Sequence, residues 1–170
     1  MTTPLIPKRA NAELVALAYL RAMVAAYDTG VGAILQGPNP ETGRITWSRG
    51  GFIQASGITG AIDAYVPVRH TVVSIDVYAA PSGQSKKPPW GLAFSLAELI
   101  IASTFDTALH DTHSVVTLPT GFPSVRVTGF QALTEPSRRV SDPADYAHVG
   151  FDVQLSWHGL SDTWSADQEP

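Results

Sequence analysis

Strict alternation over residues 146–159, Tyr-Ala-His-Val-Gly-Phe-Asp-Val-Gln-Leu-Ser-Trp-His-Gly, constrains this chain more than any other feature. Ala147, Val149, Phe151, Val153, Leu155 and Trp157 are apolar, whereas Tyr146, His148, Gly150, Asp152, Gln154 and Ser156 are polar, amphipathic or small. A period of two belongs to a strand with one buried and one wetter face. At about 3.4 Å per residue the run reaches roughly 40 Å, well past the common five or six residues. A ribbon of that length needs neighbours on both sides and helices over its apolar face, and the other segments are expected to supply them.

Residues 1–10 carry two prolines and no periodicity, which reads as an N-terminal arm. Asn11 is placed to cap a helix that starts at Ala12, holds Glu13 in its first turn, and runs to Asp28 before Gly30 stops it. Leu17, Leu20, Val24 and Tyr27 share one stripe of it; Ala12, Val15, Ala18, Ala22 and Ala26 form the other side, with Arg21 the lone mid-helix charge. A helix apolar nearly all round is covered on more than one side, either within the domain or by a neighbouring subunit at its alanine side. Residues 31–35 suit a short strand, and the glycines and prolines of 36–44 preclude regular structure. Segments 45–48 and 52–55 flank Arg49-Gly50-Gly51, the signal of a hairpin with a Gly-Gly turn, which is expected to project.

A second strand is expected over 71–79, central because Val73, Ile75, Val77 and Ala79 on one face are backed by Val72 and Tyr78 on the other. After a polar loop, 81–89, a second helix is expected from Trp90 to Phe105 with Leu92, Leu96, Leu99 and Ile100 on its core stripe. Residues 110–123 read as loop. In the third strand, 125–134, Val125 and Val127 have the opposite parity to Phe130 and Ala132, and Gly129 sits at the change, where a β-bulge belongs. A wide turn at 135–143 leads into the final strand. The order of elements predicts an α+β domain over 11–160, a mainly antiparallel sheet with two helices packed on one face and a projecting hairpin, followed by a polar, acidic tail at 161–170.

Composition narrows the chemistry. The 170 residues suit one domain with a real core. Cys is absent, which excludes disulfides and thiolate metal sites and suits an intracellular assembly compartment. No apolar run reaches the ~20 residues of a membrane span, and 1–7 lacks a signal peptide's basic start and apolar core, so no membrane association and no export are expected. A net charge of −4 argues against general nucleic-acid binding. Only 15% of residues are charged, against about 25% in an average domain, which favours a surface partly covered by copies of itself or by partners.

Phosphate-binding loops and nucleophile elbows are missing from the sequence. Asp63, Asp76 and Asp152 read as isolated acids, and His70, His148 and His158 as ordinary strand histidines. His110 and His113, with Asp111, are the one set that a small metal- or acid-dependent hydrolase would use, but they read as solvated loop residues. No catalytic, cofactor or metal site is expected. The basic pairs Lys86-Lys87 and Arg138-Arg139 border confident elements, where arginine can grip a partner's carboxylates in bidentate fashion. With Arg44, Arg49, Gly50 and Gly51 of the hairpin, they are the expected contact residues. Trp90 reads as a plug closing its helix against the sheet.

The chain resembles the tail terminator proteins of long, non-contractile-tailed bacteriophages, chiefly those of actinobacteria. The resemblance runs over about 10–159: the N-terminal helix, Tyr65-Val66-Pro67-Val68-Arg69 entering the strand 72–79, Pro88-Pro89-Trp90-Gly91 opening a helix with Leu96-Ala97-Glu98, and 135–143 leading through Tyr146-Ala147-His148 into the last strand. It implies a non-enzymatic virion protein of the tail–neck region, assembled in the host cytoplasm. Such subunits form a ring, a hexamer in this family, that ends growth of the tail tube and offers a surface to the head's connector. The implied partners are its own copies, the major tail tube protein and a connector or neck protein, with DNA only passing through the lumen. Head-completion and neck proteins of the same phages are small ring-formers too and share this texture. The 36–51 insertion has no counterpart in the pattern.

Overall fold

The computed structural model describes residues 10–37, 41–42, 45–47, 49–62, 67–81, 87–139 and 146–160. In chain order the elements are α1 (Ala12–Met23), β1 (Gly30–Gly32), β2 (Phe52–Ile62), β3 (Arg69–Ala79), α2 (Trp90–Ser103), α3 (Thr107–His113), β4 (Val115–Val116), β5 (Val125–Ala132), β6 (Ser137–Arg138) and β7 (Ala147–Gly159). Residues 1–9 of the expected arm, the expected tail over 161–170, and Arg44, Asp63, Tyr65 and Lys86 lie outside the described residues; Ala10, the last residue of that arm, is buried in the core.

The alternating run is β7, and it sits in the middle of one seven-stranded sheet of order β1-β2-β3-β7-β5-β4, with β6 also paired to β7. β3 lies antiparallel to it along its whole length, Val73 opposite Val153 and Ile75 opposite Phe151. β5 is antiparallel on the other side; among the described strands only the β1–β2 contact is parallel. Because paired residues share a face, all the odd-numbered apolar residues of β3 and β7 gather on one side. Val73, Ile75, Val77, Val149, Val153 and Leu155 are fully buried there. α1 and α2 both pack on this side, Val15, Tyr19 and Leu20 from one and Ala93, Ala97 and Ile100 from the other. The fold is therefore α+β, mostly antiparallel, with its main helices on one face.

β5 keeps its core contacts by means of the bulge. Its register with β7 shifts between Val127 and Gly129, so Val127 faces Trp157 while Phe130 faces Leu155. Leaving Thr128 unpaired turns all four apolar residues, of both parities, toward the helices. β2 has the same device, a shift between Gly57 and Thr59.

Four local expectations are corrected. α1 ends at Met23, not Asp28: Thr29 Oγ1 donates to Gly50 O at 3.0 Å, and Gly30 N to Gly51 O at 3.0 Å, bonds a continued helix cannot make. Tyr27 is accordingly 52% exposed and off the core stripe. α2 turns Ala93, Leu96, Ala97 and Ile100 to the sheet, its alanines allowing close approach, so Leu92 and Leu99 lie half-buried at its flank. Part of 110–123 is structured, as the end of α3 and as β4; seven helical residues are too few to show a period and are held by packing.

The fourth correction concerns the projecting hairpin. Ile45 and Trp47 are not in a strand; Trp47 is only 3% exposed, its indole N–H donates to Gln36 O at 2.7 Å, and its ring meets Phe52 and Tyr146. Trp47, Phe52, Tyr78 and Ala80 form a second apolar cluster. Phe52 and Tyr78 are opposite each other on the sheet face away from the helices, so the cluster caps one end of that face. Burial of an indole outweighs the pairing that a short hairpin arm offers. β2 instead runs on to Ile62 and pairs with β3.

Candidate functional site

Asn11 behaves as read: its side chain accepts from Leu14 N at 2.8 Å and starts α1. That helix carries Tyr19, fully buried, whose hydroxyl lies 2.7 Å from His110 Nδ1, with the two rings stacked 6.0 Å apart. Burial lifts the Tyr19 phenol from 10.0 to about 12. His110 is thus engaged in anchoring α3 to α1, and Asp111 is exposed. No group of three or more His, Asp or Glu suited to a metal occurs among the described residues.

The face turned from the helices carries the polar residues of β3 and β7. His148 Nε2 and Asp76 Oδ1 are 2.8 Å apart, with the side chains 12% and 21% exposed. Tyr78 stacks on His148 at 4.3 Å. A side chain at Gly150 would collide with Arg139 Nε and come within 2.9 Å of Asp76 Oδ1, so the glycine is what lets the arginine lie across the sheet beside this pair. His70 Nδ1 and Ser156 Oγ are 2.8 Å apart in a cross-strand pair of the same face. Among the described residues His148 Nδ1 has no hydrogen-bond partner, and Nε2 is taken by Asp76. The pair is suited to fixing side chains on the sheet.

The expected contact residues that are described do not converge. Gly50 and Gly51 form a tight turn; Gly51 adopts φ 78° and receives no side chain because Tyr78 O and Leu96 stand against it. Arg49 is exposed beside it and lines a cleft of about 490 Å³ with Tyr27, Leu92 and Leu99. A second cleft, about 560 Å³, opens on the other side of Tyr27 among Ala22, Met23, Ile100 and Ser103. The alanines at the C-terminal end of α1 thus border open space. Lys87 is exposed. Arg138 lies 4.6 Å over the Trp90 ring, and Arg139 donates its backbone N–H to His148 O at 2.9 Å, which pins 137–139 along β7.

Sequence reading missed the partners of His70, His110 and His148, which only register and packing reveal, and it missed the sheet margin. Beyond its first three residues β2 has β3 on one side and no strand on the other among the described residues. Residues 57–61 are exposed, Ile58 at 56%. No described helix is long and apolar enough to cross a membrane.

Neither a protein-family profile nor a curated protein sequence matches the chain. Among solved structures it is similar to a chain in the virion of a native gene transfer agent particle, at 18% identity and a TM-score of 0.42, covering 86% of this chain and 90% of that one.

Proposed function

We propose that this protein is a tail terminator: a non-enzymatic virion subunit whose copies form a ring, a hexamer in the family it resembles, on the head-proximal end of a phage tail tube. There the ring ends tube growth and presents the joining surface for the head's connector, with DNA passing through its lumen. The observation that carries the reading is the chain's own order of elements, which follows the resemblance: an N-terminal helix, the strand Arg69–Ala79, a helix opened by Trp90, and a final strand, Ala147–Gly159, spanning the sheet. The surface supports a tiled molecule. Few residues are charged, β2 leaves an exposed margin, and Ile34 and Phe105 are each 79% exposed, which is the surface of a protein that meets others. Arg49, Lys87, Arg138 and Arg139 are exposed on that surface, where an acidic partner would meet them.

Addition of the purified chain to polymerising tail-tube protein tests the reading. Tubes capped at one end and shortened as the dose rises support it. Tubes that grow unhindered refute it, and binding to the connector alone moves the protein to the neck.

A further inference from the structure

We infer that copies of this chain join edge to edge, the outer half of β2 in one copy pairing antiparallel with β5 of the next, so that one sheet continues around the oligomer. The inference rests on the ring-forming reading above and names the surfaces that close the ring.

Among the described residues both margins of the sheet are open. β1 covers only Phe52, Ile53 and Gln54 of β2, and the segment entering β4 covers β5 as far as Val127, whose N–H donates to Ser114 O at 2.7 Å. Sheet edges left in solvent are ordinarily blunted by charges, proline or bulges; each of these edges has one bulge, between Gly57 and Thr59 and between Val127 and Gly129, and pairs regularly beyond it, over 59–62 and 129–132. The whole of β2, Phe-Ile-Gln-Ala-Ser-Gly-Ile-Thr-Gly-Ala-Ile, has neither charge nor proline, and neither does β5 from Val127 to Ala132. Thr128 and Gln131 are exposed on that side as residues 57–61 are on the other.

The strand directions match. β2, β3, β7 and β5 alternate, each antiparallel to the next. When the following copy is brought in by rotation about an axis running with the strands, its β2 arrives antiparallel to β5, and the alternation passes unbroken across the junction. Two different edges of one sheet meeting in this way make a heterologous contact, the kind that closes into a ring. A β2-to-β2 contact would instead stop at a dimer and leave β5 bare. Faces match as well. Thr59 and Ala61 share the face of Val72 and His70; Gln131 shares the face of Gln154. Val72 and Gln154 are themselves opposite each other, so Thr59, Ala61 and Gln131 all lie on the side away from the helices.

The absence of native cysteine makes the test clean. Thr59→Cys with Gln131→Cys, and Ala61→Cys with Gln131→Cys, are oxidised mildly and run without reductant. The expected result is a ladder of covalent oligomers from at least one pair and none from the single variants. An oligomer that stays intact yet cross-links in neither pair overturns the inference, and so do dimers from Thr59→Cys alone. Hydrogen exchange on the unaltered protein gives an independent reading: amides of 59–62 and 128–132 slow on oligomerisation, and unchanged exchange there overturns the pairing. Tube arrest without a ladder refutes only the edge pairing; a ladder without tube arrest refutes only the tail-terminator role.

Discussion

β2 and β3 are equally long, lie side by side, and are paired over nearly their whole length, yet they live in different surroundings. β3 has a strand on each side and buries Val73, Ile75, Val77 and Ala79 completely under the helices. Among the described residues the outer half of β2 has a strand on one side only, and it turns Gly57 and Gly60, which carry no side chain, toward the helix layer. One strand is held in register by what it buries. The other has little to bury, and among the described residues no strand meets its outward backbone donors and acceptors. The difference separates the part of the sheet that makes the domain from the part proposed above to join copies.

The largest effect expected on the buried side is that of Phe151→Ala in β7, opposite Ile75. Loss of a fully buried ring should cost about 3–5 kcal/mol, read as a lower denaturant midpoint. If it costs under about 1 kcal/mol, the centre of the sheet is no more important than its margin. Next comes Tyr19. Its folded pKa, near 12, stands above the ordinary 10.0, so its contribution is complete below pH 10 and lost as pH climbs toward 12. The loss should reach about 2 kcal/mol at the top of that window. Unfolding titrations at several alkaline pH values should show it, and Tyr19→Phe should remove it.

A smaller cost, about 1–2 kcal/mol, is expected for Gly150→Ala, because the methyl group must displace the Arg139 side chain and crowd Asp76. Arg139→Ala in the same background should recover part of that loss, and no recovery would mean that the arginine is not what the glycine accommodates. Smallest of all is Ile58→Ser on the open margin, within about 0.5 kcal/mol for folding. The same substitution should weaken association by light scattering, which would confirm that the margin matters between copies and not within one.

The sequence made the buried half of this comparison legible and left the other half obscure. Alternation located β7 to within a residue and β3 to within two, because each apolar residue reports the same covered face. The parity change around Gly129 revealed the bulge for the same reason. The outer part of β2 gave no such signal, since glycines at 57 and 60 erase the alternation that a helix-covered strand would show. Trp47 passed for part of a hairpin because its partners, Phe52, Tyr78 and Tyr146, come together only in three dimensions. The contacts Asp76–His148 and His70–Ser156 likewise depend on the β3–β7 register, which no single strand encodes. The expected contact residues were chosen by charge, whereas the margin is distinguished by having none.

Sedimentation velocity on the purified full chain over a wide concentration range addresses most directly the claim that this domain is built to tile. The expected result is a discrete closed oligomer that forms cooperatively from monomer and that Ile58→Ser shifts toward monomer. A chain that remains strictly monomeric at every concentration and ionic strength would contradict it.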